Sequence, residues 1–292
     1  MRVFKKILCP LDFSEASHYA FHYAKTFAKC FDSELVLLHV SPNLTDAYTS
    51  LLPDFPEIGL PHERDLLERF NECTSDNSAK FKKTILTGIP YIEILNYAKA
   101  EEFDLIILGA KGHSNFERLF LGSTSEKVVR NSSAPVLTVH PKPKGLPIKR
   151  ILVPIDFSPL SFAVLPIVAS IAEHFRSEIY LLHVVETGHQ SDPERRTSEY
   201  EFFERVKGKL ADQWELPEAF NEIETKKFIR HHTGSAGYGI LEFSQDWDID
   251  LVIMATHGRT GLSKVLMGSV TEKVIRIAPY PVLSIRSQTA GK

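Results

Sequence analysis

The stretch LGAKGHSNFERLFLGSTSEKV, residues 108–128, decides how the rest of the chain is read. It leaves an apolar run, Asp104-Leu105-Ile106-Ile107-Leu108, whose composition suits a strand covered on both faces. It ends in Gly122-Ser123-Thr124-Ser125-Glu126, the pattern of a helix start. Gly109 and Gly112 lie between, and nine residues separate Gly112 from Gly122. Glycine accepts φ > 0 at little cost and lets a backbone approach a ligand closely. A helix start rich in Ser and Thr presents N–H groups, hydroxyls and a positive dipole end to an anion. Strand, glycine loop and helix start, in that order, suit a phosphate. The pattern recurs as MATHGRTGLSKVLMGSVTEKV, residues 254–274, with Gly258, Gly268 and Ser269 in register.

That recurrence is part of a duplication of the whole chain. Lys5-Lys6-Ile7-Leu8-Cys9-Pro10-Leu11-Asp12-Phe13-Ser14 matches Lys149-Arg150-Ile151-Leu152-Val153-Pro154-Ile155-Asp156-Phe157-Ser158 at an offset of 144 (149 − 5). Residues 33–40 match residues 177–184 at the same offset, and the glycine stretch matches at 146 (268 − 122). A period of this length is a domain, not a solenoid repeat. The expected organisation is a first domain over 1–141, a linker over 142–147 and a second domain over 148–288. Pro141, Pro143 and Pro147 stiffen the join.

Each half alternates apolar runs with helical periodicity, which predicts an α/β fold with a parallel sheet. In the first half, strands are expected at 6–9, 35–40, 80–86, 104–108 and 134–139. Asp12 or Ser14 caps a helix whose apolar face holds Ala16, Ala20, Tyr23, Ala24, Phe27 and Ala28. Helices are also expected at 62–73, 89–100 and 122–131. Residues 42–61 carry four prolines and read as a loop or lid. The second half repeats this, except that a polar segment, 186–197, leads into a helix at 198–212.

The 292 residues suit two domains, and the net charge of −3 argues against a general nucleic-acid binder. No apolar run reaches the ~18 residues of a membrane span, and residues 1–10 lack a signal-peptide core. Cys9, Cys30 and Cys73, odd in number and widely spaced, suggest reduced thiols and a cytoplasmic setting. Cys9 reads as core.

With these residues in view, the chain resembles the universal stress protein family. The carriers are G-x2-G-x9-G-[ST] (Gly109, Gly112, Gly122, Ser123) and an early strand ending in Asp12-x-Ser14. Both halves match, and Ala255 replaces the first glycine in the second. The resemblance implies two tandem doubly wound domains, each a five-stranded parallel sheet of order 3-2-1-4-5 with helices on both faces. It also implies ATP, or AMP or ADP, bound with Mg²⁺ at the crevice beyond strands 1 and 4. Pro10, Leu11 and Asp12 would then meet the adenosine, and Val40 would offer backbone groups to the adenine edge. Gly109, Lys111 and Gly112 would line the ribose and phosphates, and Gly122, Ser123, Thr124 and Ser125 would hold phosphate oxygens. The second-half counterparts are Pro154, Ile155, Asp156, Val184, Ala255, His257, Gly258, Arg259, Gly268, Ser269, Val270 and Thr271. Members of the family pair through their last strands, so 134–139 and 281–285 are candidates to pair, with a homo-oligomer and an unidentified protein partner as further expectations.

Several residues fit plainer readings. Asp12 and Asp156 also suit helix caps. Alanine at 255 costs about 1–2 kcal/mol if the site needs φ > 0, and only a methyl's crowding if the backbone is extended. Arg259, where the first half has His113, suits phosphate oxygens. His39 and His183 stand alone at strand ends with no ligand at metal spacing, so they read as satisfied strand-end histidines. His231-His232 reads as a surface pair. Residues 234–239 follow the wrong strand for a dinucleotide loop, and there is no P-loop and no nucleophile elbow. Three functions stand: an ATP-binding regulator acting by occupancy, a nucleotide-independent scaffold, and a slow ATPase. No catalytic or metal-ligating residue is assigned.

Overall fold

A computed structural model describes residues 3–41, 65, 68–71, 80–111, 121–140, 143, 145–187, 193–256 and 267–286. One compact unit is formed by Met1–Phe116 with Gly122–Pro141, and a second contains Lys142–Lys292. The proline-rich stretch 42–61 lies outside the described residues, as does most of the helix expected at 62–73, of which 65 and 68–71 are helical.

The first unit runs β1 (Lys6–Pro10), α1 (Glu15–Phe31), β2 (Glu34–Ser41), β3 (Lys82–Thr87), α2 (Pro90–Ala100), β4 (Leu105–Gly109), α3 (Ser123–Asn131) and β5 (Val136–Val139). Its strands are parallel and ordered β3-β2-β1-β4-β5. Every residue of β4 and β5 is buried, as a sheet covered on both faces requires. Asp104 fixes the entry to this sheet. Its Oδ2 accepts from the backbone N–H of Lys5 (2.8 Å) and of Lys6 (2.9 Å), tying the start of β4 to the start of β1.

Helix α1 forms because apolar residues recur at three- and four-residue spacing and its ends are closed. The expected face of Ala16, Ala20, Tyr23, Ala24, Phe27 and Ala28 is buried throughout. Ser14, not Asp12, is the N-cap, and Asp32 ends the helix in the left-handed region with φ 51°. Phe27 and Phe31 pack on Phe4, and each such ring contributes roughly 1.5–3 kcal/mol on burial.

The second unit repeats the plan with β6 (Arg150–Pro154), α4 (Pro159–Phe162), α5 (Leu165–Phe175), β7 (Glu178–Glu186), α6 (Pro193–Leu210), β8 (Thr225–His232), α7 (Ala236–Asp246), β9 (Leu251–Ala255), α8 (Ser269–Ile277) and β10 (Val282–Ile285). Its parallel strands are ordered β8-β7-β6-β9-β10. Asp250 repeats the clamp, accepting from the N–H of Lys149 (2.8 Å) and Arg150 (2.9 Å). Each unit is therefore a doubly wound parallel sheet of order 3-2-1-4-5.

Two features of this half depart from the sequence reading. The counterpart of α1 is broken into α4 and α5, because Pro166 has no N–H to continue the first segment. Helix α6 begins at Pro193, five residues before the expected start at 198, and β7 runs on to Glu186. Proline at a first helical position is a start signal that the polar composition masked. Among the described residues, no helix is long and apolar enough to cross a membrane.

Candidate functional site

Strands β1 and β4 are neighbours, with Leu8 opposite Ile106. From their C-terminal ends the chain departs in opposite directions along the sheet, through α1 to β2 and through α3 to β5. Open α/β sheets carry their ligand crevices at such a switch point. A cavity of about 410 Å³ opens there in the first unit.

The turn after β1 builds one wall. Leu11 N–H donates to the Leu38 carbonyl (2.8 Å), prolonging the β1–β2 pairing past the strand. Asp12 Oδ1 then accepts from Ser14 N–H (3.0 Å) and Ser14 Oγ (2.6 Å). Ser14 Oγ in turn accepts from Ser17 N–H (3.2 Å). Asp12 therefore supports the cap of α1 from one shell back, while lining the cavity itself. Phe13, between them, has φ 63°, a left-handed conformation unusual for a bulky side chain.

His39 holds this turn from β2. Its Nδ1–H donates to the Leu11 carbonyl (2.8 Å), and its ring lies 4.7 Å from that of Phe13. Burial pushes the imidazole pKa below its ordinary value, opposed by the bond to Leu11 and by the Asp12 charge. His39 is thus a strand-end histidine satisfied by a carbonyl, and also a lining residue of the cavity.

The opposite wall comes from β4 and α3. Gly109 ends β4 and is absent from the positive-φ residues, so its backbone does not require glycine. A Cβ there would lie 2.8 Å from the Ala16 carbonyl carbon and 2.8 Å from Ser17 N. The missing side chain lets the first turn of α1 close onto the sheet, a reason distinct from the expected approach to a ligand. Ala110 carbonyl accepts from Gly122 N–H (2.7 Å), so the chain leaving β4 and the chain entering α3 are tied together.

The N-cap of α3 is Gly122, with φ −64° and no side-chain cap. Its first intrahelical bond runs from Glu126 N–H to the Gly122 carbonyl (2.8 Å). The N–H groups of Ser123, Thr124 and Ser125 precede that bond and have no acceptor within the helix. Ser125 is buried, and its hydroxyl donates to the Gly109 carbonyl (2.7 Å). Its hydroxyl is therefore committed to the frame, leaving its N–H as the group suited to an anion.

Of the eleven first-half residues singled out from sequence, Pro10, Leu11, Asp12, Val40, Gly109, Lys111, Gly122, Ser123, Thr124 and Ser125 line this one cavity. Gly112 lies outside the described residues. Sequence reasoning missed Ser17, Leu38, His39, Pro90, Ile94 and Leu108, which also line it. For His39 a signal existed, since His183 repeats it at the same place.

The second unit rebuilds the frame almost bond for bond. Asp156 Oδ1 accepts from Ser158 N–H (3.0 Å) and Oγ (2.6 Å), and His183 Nδ1–H donates to the Ile155 carbonyl (2.7 Å). Phe157 repeats the left-handed turn with φ 60°. Pro154 ends β6, Val184 lies on β7 and Ala255 ends β9. Ala255 also lacks a positive φ, so only crowding by its methyl group is at issue. Gly268 N–H donates to the Thr256 carbonyl (2.8 Å), and Gly268 is the N-cap of α8, with no side-chain cap. Ser269 and Val270 stand in its first turn, and Thr271 donates its hydroxyl to the Ala255 carbonyl (2.9 Å). His257, Gly258 and Arg259 lie outside the described residues.

The family profile described as the universal stress protein family matches the chain twice, over residues 4–140 and 147–286. A universal stress protein of Methanocaldococcus jannaschii is 31% identical over 157 residues, covering 48% of this chain and 97% of the relative. One from Synechocystis is 24% identical over 304 residues, covering 97% of this chain and 100% of the relative. The crystal structure of a universal stress protein from Archaeoglobus fulgidus superposes with a TM-score of 0.65 at 23% identity, covering 96% of this chain and 98% of that one, a likeness of fold.

Proposed function

The chain belongs to the universal stress protein family, and on that premise we propose that its first half is an adenine-nucleotide receptor, with ATP the leading ligand. The observation that carries the proposal is the convergence of Asp12, Val40, Gly109 and the uncapped start of α3 on one cavity. Its volume of about 410 Å³ falls within the range of small-molecule sites. Adenosine lies between the β1 turn and the end of β2, where the carbonyl and N–H of Val40 read the base. The phosphates lie against Ser123, Thr124 and Ser125, where the N–H groups and the helix dipole favour negative charge. Mg²⁺ suits this site as a companion of the nucleotide, held mainly by phosphate oxygens with water completing its shell.

The protein acts by occupancy and not by turnover. Asp12, the carboxylate beside the crevice, already braces Ser14 through Oδ1 and serves as a framing group. A bound nucleotide alters the surface shown to a protein partner in the cytoplasm. The second half, with the same turn and the same uncapped helix, takes a second nucleotide.

Isothermal titration of nucleotide-stripped protein with ATP and Mg²⁺ tests this. Two equivalents are expected, and Asp12→Ala removes one of them. No heat and no thermal shift at millimolar ATP sinks the nucleotide reading and leaves the scaffold. Steady phosphate release that Gly122→Val together with Gly268→Val abolishes favours the slow ATPase.

A further inference from the structure

His18 and His22 face each other across one turn of α1, with their Nε2 atoms 3.1 Å apart. Both side chains are exposed, so the pair is open to solvent. Residues four apart on a helix are surface neighbours, and two such histidines form one edge of known zinc sites. From the geometry we infer a surface binding site for a borderline divalent transition metal, Cu²⁺, Ni²⁺ or Zn²⁺, chelated by His18 and His22 through Nε2.

The distance supports chelation. Two nitrogens each about 2.0–2.1 Å from one ion, at a cis angle between square and tetrahedral, stand about 2.9–3.4 Å apart. The observed separation falls in that span without movement of the helix. His18 also borders a small cleft together with Leu11, Phe13, Ser17 and Phe21. A ligand already held near its bound position loses less freedom on binding.

The chemistry also narrows the ion. Without metal, one imidazole donates Nε2–H to the other Nε2. On binding, any proton on either Nε2 leaves it, to Nδ1 of the same ring or to solvent, and both Nε2 lone pairs go to the metal. Imidazole nitrogen suits Cu²⁺, Ni²⁺ and Zn²⁺, with Cu²⁺ bound most tightly, whereas Mg²⁺ and Ca²⁺ prefer oxygen. Water completes the coordination. The second half cannot form this site, because Phe162 and Pro166 stand at the equivalent positions (18 + 144 and 22 + 144). The site is therefore independent of the proposed nucleotide function, which both halves share.

The test uses the full chain stripped of nucleotide, since ATP itself binds these ions. Ni²⁺ is titrated calorimetrically, and histidine ring resonances are followed by NMR with substoichiometric Cu²⁺. The expected result is one Ni²⁺ site, with the rings of His18 and His22 broadened first. His18→Ala and His22→Ala each weaken that site by at least about tenfold, the scale set by the loss of even an outer-shell partner. Both substitutions are exposed and favour helix, and an unchanged circular dichroism spectrum confirms the fold. Ni²⁺ affinity unchanged in both variants overturns the assignment. So does first broadening of other histidines, such as His231 and His232.

Discussion

Replacing Gly109 with alanine separates two explanations for that glycine. If it is there to admit a ligand, the variant folds normally and binds poorly. If it is there to admit α1, the fold itself suffers. The added methyl group would sit 2.8 Å from two backbone atoms, the Ala16 carbonyl carbon and Ser17 N, and 3.0 Å from Ala16 Cβ. No rotamer relieves a backbone clash, so restoring an ordinary 3.4 Å contact moves the helix by about 0.6 Å (3.4 − 2.8). Overpacking on this scale costs about 1–3 kcal/mol. For a domain of this size that lowers Tm by about 3–10 °C. The displaced turn also carries the Ser14 cap and, through it, Asp12, so ATP affinity is expected to fall about tenfold, or ~1.4 kcal/mol. Differential scanning calorimetry of the variant, paired with ATP titration, reads both. The second half supplies the control, because alanine already occupies the place and the helix beside it is broken at Pro166. Ala255→Gly is expected to lose only about 0.5–1 kcal/mol, from chain entropy. A Gly109→Ala protein as stable as the parent refutes the packing argument, whatever happens to its affinity.

Three further outcomes follow from the same geometry. Gly122→Asp supplies the cap that α3 lacks, so stability is expected to change by no more than about 0.5 kcal/mol while ATP affinity falls at least about tenfold; titration and urea unfolding check the two halves of that statement, and retained affinity contradicts phosphate binding at this helix start. His39 has a folded-state pKa below its ordinary 6.5, so its contribution to stability is complete above that value and is lost as pH falls through the folded-state value. Urea midpoints from about pH 7.5 to pH 5 should therefore decline more steeply in the parent than in His39→Gln, and parallel slopes would show that the half-buried imidazole does not titrate as argued. Burial raises the Cys9 thiol pKa far above its usual range, whereas Cys30 is only partly covered; maleimide should modify Cys30 in the native protein and reach Cys9 only in denaturant, and equal native rates would place Cys9 outside the core.

Much of this architecture was legible because strands and helix starts carry local signals. The repeat aligned Asp12 with Asp156 and Gly122 with Gly268, and a doubly wound plan brings those positions to one end of a sheet. Asp12 suited either a helix cap or a ligand contact; the cap itself is Ser14, which Asp12 braces through Oδ1 while lining the cavity. That bracing is a matter of side-chain direction, which spacing does not specify. Gly109 was legible as special, but the cause was hidden, since the atoms it accommodates lie 92 residues earlier (109 − 17). His39 was legible only as satisfied; its place in the cavity wall depends on how far β2 runs beside β1. Pro166 and Pro193 were plain in the sequence, yet repeat symmetry and polar composition led away from the helix break and the earlier helix start they encode.

The bond between Gly122 N–H and the Ala110 carbonyl, repeated from Gly268 to Thr256, has an evolutionary corollary. A clasp at the base of a connection uncouples what lies above it from what lies below. Doubling the length of such a segment costs only about 0.6 kcal/mol in closure entropy. Descendants can therefore exchange or lengthen residues 112–120 to acquire new specificities while the clasped framework is inherited unchanged, and in a duplicated chain each copy can drift along its own course.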